Sequence, residues 1–193
     1  MNQYRRLILP AIFILASMLS MNAVSKDEPK EPLRGPDVVY VGTPYDVVSR
    51  MLQMANVEKG DLVYDLGCGD GRMLVLAAQK YGCHAVGYDI DPVRVEESVA
   101  NAARHHVEKL VKIIQADIFT VDIKKADVIP MYLLPEMNQR LLPQLDTLKK
   151  GSRIVTHEYD LEGIVGDKTI TMISNEDNYK HTLTLYTTPL KRK

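Results

Sequence analysis

Beyond residue 36 the chain alternates short apolar runs with stretches in which apolar residues recur at helical spacing, and few folds satisfy that alternation. A strand, a helix and a second strand in succession imply parallel strands joined by crossover helices, which then cover both faces of the sheet. Leu62–Leu66 is the first buried strand, Arg72–Tyr81 a helix stopped by Gly82, and residues 85–88 the second strand. Asp91-Pro92 caps a helix whose inner face carries Val95, Val99 and Ala102. Residues 111–114, 128–129 and 153–156 are the third, fourth and fifth strands, with a helix carrying Met137, Leu141, Leu145 and Leu148 before the last. Pro130 has no N–H to give a central ladder and is expected to end the fourth strand. Ahead of the first strand, Thr43-Pro44-Tyr45-Asp46 reads as a hydroxyl cap, a first-turn proline and an acid three residues after the cap, opening a helix. Lys168–Ile173 and residues 182–187 are joined by a polar stretch too short for a crossover helix, so they pair antiparallel. The expected fold is α/β, with five parallel strands, a C-terminal antiparallel hairpin and helices on both faces.

In such a sheet ligands bind outside the carboxyl ends of the strands. Asp65-Leu66-Gly67-Cys68-Gly69-Asp70-Gly71-Arg72 stands there after the first strand. Glycines at that place let the backbone turn tightly and let a ligand approach with no Cβ in the way. A dinucleotide loop needs G-x-G-x-x-G, and Arg72 occupies its third glycine position, so the spacing is G-x-G-x-G instead.

The loop, read with Asp89 at the end of the second strand and Ala116-Asp117-Ile118 after the third, resembles class I S-adenosylmethionine (SAM) methyltransferases. The resemblance spans residues 38–189 and implies a Rossmann-like methyltransferase sheet with SAM as cofactor. It also implies that Asp65, Gly67, Gly69 and Gly71 lie against the amino acid part of SAM, that Asp89 takes both ribose hydroxyls, and that Asp117 takes the adenine amino group. The chemistry agrees for Asp89, since a carboxylate accepts two parallel hydroxyl bonds well. Asp91, two residues on, is the alternative for that role. More narrowly, Tyr40-Val41-Gly42-Thr43-Pro44, Gly87-Tyr88-Asp89 and Leu133-Leu134-Pro135 look like the branch that includes mitochondrial lysine methyltransferases and exported bacterial relatives. That branch closes the Tyr40 to Pro44 segment over SAM, which makes Tyr40 and Thr43 further cofactor residues. It often carries a tryptophan after the fifth strand, and this chain has none.

The methyl acceptor should meet the cofactor at a lip formed by residues 131–134, where Tyr132 sits. No Asn-Pro-Pro-Tyr stands here to grip a planar amino group, which disfavours adenine and amide acceptors. The end of the fifth strand supplies Thr156-His157-Glu158-Tyr159-Asp160. Glu158 and Asp160 are candidates to hold an incoming ammonium, and His157 to accept its proton or orient a neighbour. Tyr132, His157, Glu158 and Asp160 are thus the candidate catalytic residues. Lysine is the expected acceptor; a small molecule, or SAM binding without catalysis, is the alternative.

The charge balance is -1. Arg5 and Arg6 lie in the leading segment and no acid does, so the rest carries 22 basic against 25 acidic residues, or -3. Nucleic-acid binders are usually basic, so none is expected as partner. Cys68 and Cys83 match no four-ligand zinc pattern and fall at opposite sheet edges, so they are read as free thiols, with no metal. Residues 1–25 have the charged, apolar and small-residue order of a signal peptide, with cleavage after Ser25. Uncleaved, the same stretch is long enough for a membrane anchor, the one membrane contact expected. Both readings put the domain outside the cytoplasm, periplasmic or secreted. Residues 26–36 form a proline-containing tether and 37–193 the methyltransferase domain.

Overall fold

The computed structural model describes residues 34–193; the leader, its cleavage point and most of the tether lie outside the described residues. The elements run α1 (Tyr45–Met54), β1 (Leu62–Leu66), α2 (Arg72–Tyr81), β2 (His84–Asp89), α3 (Pro92–Arg104), β3 (Val111–Gln115), β4 (Val128–Met131), α4 (Pro135–Leu145), β5 (Arg153–His157), β6 (Lys168–Ile173) and β7 (Lys180–Thr187). They form one seven-stranded sheet in the order β3-β2-β1-β4-β5-β7-β6. The first five strands are parallel, and β7 pairs antiparallel with both β5 and β6. Among the described residues no helix is long and apolar enough to cross a membrane.

Strand alternation splits the core into two layers. Val63, Val128, Val155 and Leu183 face one side, where α1 and α2 bury Val47, Val48, Met51, Leu52 and Leu74. Tyr64, Ile129, Ile154 and Tyr186 face the other, against Met137, Leu141 and Leu145 of α4. A period of two along each strand produces this, and it fixes which strand-end side chains can meet.

Three expectations are corrected, the first being Val99, which stands 52% exposed on α3 while Ser98, Asn101 and Ala102 form its buried face. Pro130 does not end β4, because Pro130 and Met131 register with Val155 and Thr156 of β5. The ladder to β1 registers only Val63 with Val128, so the strand keeps one neighbour past the proline and tolerates the missing donor. Thr43 is not the cap of α1: the helix starts a residue later, with Pro44 at the cap position and no side-chain cap bond. Asp91 does cap α3, accepting from the Val93 N–H.

Candidate active site

The glycine loop connects β1 to α2 with Gly67, Gly69 and Gly71 all at positive φ, of 81°, 54° and 75°. Two of them answer to close neighbours. A Cβ on Gly69 would fall inside the Tyr40 ring, and one on Gly71 would strike Ser98 of α3. Glycine at these places therefore brings Tyr40 down onto the loop and seats α3 behind it. Arg72 takes over what a third glycine would have left empty. Its guanidinium pairs with Asp70 at 2.8 Å, donates to the Thr43 carbonyl at 2.9 Å, and lies over the Tyr40 and Tyr45 rings. It ties residues 40–45 to the loop.

Between them opens a cavity of about 300 Å³, at the lower end of the size usual for ligand sites. Tyr40, Thr43, Asp65, Gly67, Asp89 and Asp117 line it; Gly69 and Gly71 shape it from behind. Asp89 is 8% exposed, and its two oxygens accept from the N–H groups of Gly69 at 2.8 Å and Asp91 at 3.0 Å. One lone pair per oxygen remains, the number a vicinal diol needs. Asp91 spends its own carboxylate on the α3 cap. Asp117 accepts twice from Arg34, at 2.8 and 3.3 Å, and once from Phe119 N–H, which leaves a lone pair on Oδ2. Against the burial that would raise it, Arg34 holds the Asp117 carboxyl below the usual range. Asp65 is 3% exposed, and burial beside the carboxylates of Asp89 and Asp70 pushes its carboxyl up to about 8. A buried acid in this state calls for a cation, and the amino group of a methionine-derived ligand is one. The three carboxyl groups and the glycine cradle therefore fit SAM.

Of the four candidate catalytic residues, Tyr132 lines the cavity and the other three do not. The Tyr132 ring packs on His157 with centroids 4.2 Å apart and runs nearly parallel to Tyr159 at 6.4 Å. His157 is 2% exposed behind that wall, with Nδ1 3.2 Å from Thr43 Oγ1. Glu158 stands at φ 64°, a left-handed backbone that turns it toward β7, where it accepts from Thr182 N–H and lies 3.2 Å from His181. Asp160 is held by the Tyr186 hydroxyl at 3.1 Å. Neither carboxylate reaches the cavity wall.

Sequence reasoning missed Arg72, His181 and Asp177. His181 Nδ1 lies 2.8 Å from His157 Nε2, and its Nε2 lies 3.1 Å from Asp177. His157 pairs with Leu183 across the ladder, so His181, two residues away, is its diagonal neighbour on the same face. Only the antiparallel register reveals that meeting. His157, Glu158 and His181 point ligand-type atoms at one place. The 2.8 Å between the ring nitrogens is a hydrogen bond's length, shorter than the edge two Zn–N bonds of about 2.0–2.1 Å make at a tetrahedral angle. Both cysteines are free and buried.

Comparison with known proteins gives this geometry a family. Residues 65–168 match the model of the ANTKMT methyltransferase domain. A protein-lysine N-methyltransferase of Saccharolobus islandicus (strain REY15A) is 41% identical over 78% of this chain and 94% of its own length. A lysine N-methyltransferase of Xenopus laevis, named for a subunit of ATP synthase, is 28% identical over 78% of this chain and 66% of its own. Among solved structures, an RNA methyltransferase from Salinibacter ruber in complex with S-adenosyl-L-homocysteine is 40% identical, with a TM-score of 0.71 over 77% of this chain and 94% of that one. The chain belongs to the ANTKMT methyltransferase domain family and is a class I SAM-dependent methyltransferase.

Proposed function

We propose that this chain transfers methyl groups to the side-chain amine of protein lysine. The observation that carries the reading is the cavity lip, where two tyrosine faces stand beside a hydroxyl bonded to a buried, neutral histidine. Tyrosine faces attract an alkylammonium. Burial, reinforced by His181, lowers the His157 pKa to about 4, so the ring stays neutral and able to accept a proton. The lysine methyltransferases among the relatives support the same acceptor. The similarity to an RNA methyltransferase makes RNA the competing reading. Against it stand Glu158, Asp160, Glu162, Glu176 and Asp177, acids at positions 158–177 that would repel phosphate.

SAM, when bound, supplies a methyl group activated by its sulfonium. The chain's own residues do the rest. Asp65, Asp89 and Asp117 hold the cofactor's polar ends, and Arg72 keeps residues 40–45 closed over them. Tyr132 and Tyr159 align the acceptor and exclude water, which matters because the transfer needs orientation and a neutral amine. We further propose that the domain acts outside the cytoplasm, on the strength of the leader-like residues 1–25; N-terminal sequencing of the mature protein should begin at Lys26.

The acceptor is tested by incubating the full chain and methyl-labelled SAM with a whole-cell extract of a deletion strain, then hydrolysing the labelled material. Label in methyl-lysine is expected. Label confined to nucleic acid or to a small molecule would overturn the assignment.

A further inference from the structure

The two histidines behind the lip form part of a longer chain of contacts. Thr43 Oγ1 lies 3.2 Å from His157 Nδ1, His157 Nε2 lies 2.8 Å from His181 Nδ1, and His181 Nε2 lies 3.1 and 3.2 Å from the Asp177 oxygens. One end, Thr43, is on the cavity wall beside Tyr132; the other, Asp177, is exposed. Neither histidine is more than 8% exposed.

The direction of every hydrogen bond follows from the last. An ionised carboxylate only accepts; Asp177 has both oxygens on Nε2, whereas the Glu158 oxygen 3.2 Å from Nδ1 already accepts from Thr182 N–H, so a singly protonated His181 is assigned its proton on Nε2 with Nδ1 bare. His157 must then donate from Nε2, which leaves its Nδ1 bare to accept from the Thr43 hydroxyl. All donors run outward from the cavity. Moving one proton along this line to His181 reverses the first two bonds and keeps the third, since His157 then donates from Nδ1 to Thr43, and His181 donates from Nδ1 to His157 while still donating from Nε2 to Asp177.

We propose that Thr43, His157, His181 and Asp177 are a proton relay that takes the proton of the methyl acceptor from the cavity to solvent. The proposal rests on the amine reading above. A lysine amine has an ordinary pKa of about 10.4 and arrives as an ammonium with no lone pair to attack the methyl group. The ammonium N–H proton passes to Thr43 Oγ1, the Thr43 hydroxyl proton to His157 Nδ1, and the His157 Nε2 proton to His181 Nδ1. The free amine then holds the lone pair that forms the new N–C bond as the S–C bond breaks. His181 becomes an imidazolium between two carboxylates, Asp177 on one ring nitrogen and Glu158, 3.2 Å away, on the other. It loses its Nε2 proton to water through Asp177, which leaves both rings as Nδ1–H, and they return to the starting Nε2–H tautomers before the next turnover.

The charges around the line suit a conduit ending in a sink. Among the described residues neither Glu158 nor Asp177 pairs with a lysine or arginine, so their negative charge is left for His181. The groups facing the two rings from the packed elements are Thr43 before α1, Tyr132 after β4, Glu158 after β5 and Asp177 in the β6–β7 connection. Asp46 of α1, bonded to Ser174 and the Asn175 N–H, adds a further negative charge near Asp177. His157 is held neutral by burial and by His181, so it passes the proton on without keeping it. The strained φ of Glu158 has its explanation here too, as the turn that sets its carboxylate against His181.

Two measurements on the full chain test the relay. Nitrogen-15 NMR of the histidines at about pH 7.5, well above the ordinary imidazole pKa, should find both rings as Nε2–H tautomers; an Nδ1–H tautomer at either ring in the resting protein would overturn the direction of the line. Methyl transfer into the deletion-strain extract is then followed against pH for His181→Gln and Asp177→Asn. At about pH 7 His181→Gln should lose roughly 100-fold in turnover, the scale of general base catalysis, and Asp177→Asn about tenfold. Near about pH 10, where roughly a quarter of the amine already lacks its proton, both should come within about threefold of the unaltered enzyme, with SAM affinity unchanged throughout. A deficit equal at both pH values marks a structural role, and no deficit at either removes these residues from the reaction. A relay that fails leaves the label on methyl-lysine, whereas a wrong acceptor puts the label elsewhere while the tautomers still read as stated. Chelator treatment should change nothing; a loss of activity restored by zinc would instead make the cluster a metal site.

Discussion

Asp89 carries two bonds that hold the loop and two free lone pairs that face the cavity. Because the same carboxylate serves both, Asp89→Ala should weaken SAM by at least about tenfold, the cost of charged hydrogen bonds of about 1.5–3 kcal/mol, and should also loosen Gly69. Calorimetry on a variant whose circular dichroism matches the parent reads the two apart. The place of Asp89 in the cavity wall was legible because a strand-end acid at fixed distance past the glycines falls at the binding crevice. Asp91 was its rival in the sequence, and the structure separates them by what each carboxylate already holds. Arg72 was visible only as a glycine that is absent, since its partners, the Thr43 carbonyl and two tyrosine rings, lie 27 to 32 positions upstream. His181 and Asp177 carry no pattern of their own. Their meeting with His157 depends on a cross-strand register that composition does not encode.

At the scale of elements, the bounds of β1, α2 and β6 follow from apolar runs and from Gly82, because each is set by local signals. Pro130 and Thr43 were misread for a common reason. Both were assigned by local rules, a missing donor and a cap, and in both a neighbouring element decides: β5 holds Pro130 in its strand, and β5 with its His157 takes the Thr43 hydroxyl. The glycine loop gives a test that separates cradle from scaffold. Alanine at Gly69 or Gly71 meets a left-handed backbone costing about 1–2 kcal/mol. At Gly71 the added Cβ also presses on fully buried Ser98, so denaturant unfolding should show the larger stability loss there. At Gly69 it displaces the Tyr40 ring, so the larger loss should appear in SAM affinity. If both variants lose stability and affinity in equal proportion, Tyr40 does not close the site.

For the molecule as a whole, two buried groups set how stability depends on pH. The folded His157 pKa, about 4, lies below that of the unfolded chain, about 6.5, so its neutral burial is stabilising above 6.5 and is lost as pH falls toward 4. The folded Asp65 pKa, about 8, lies above its unfolded value of about 3.9, so its contribution is complete below that value and is lost as pH rises through 8. Between about pH 4 and 6.5 the two slopes oppose, and stability should be nearly flat. From about 6.5 to 8 Asp65 acts alone, and stability should fall by up to about 1.4 kcal/mol per pH unit. His157→Gln should remove the plateau, so that the fall begins near about pH 4. Denaturant midpoints across this range check it, as does added SAM, whose cation should flatten the fall.

The strand that completes the sheet is the last one described. β7 lies between β5 and β6, yet its residues, 180–187, follow both in the chain. Without the residues after Ile173 the sheet would consist of five parallel strands with an open edge at β5, and the sixth strand would have no neighbour. Neither pairing can form until β7 is present. Until then the β5 edge is a row of unpaired backbone groups, and the residues from Lys180 onward act as the latch that ends that exposure. The same latch brings in His181, so the enzyme acquires its histidine pair only in the step that seals the sheet.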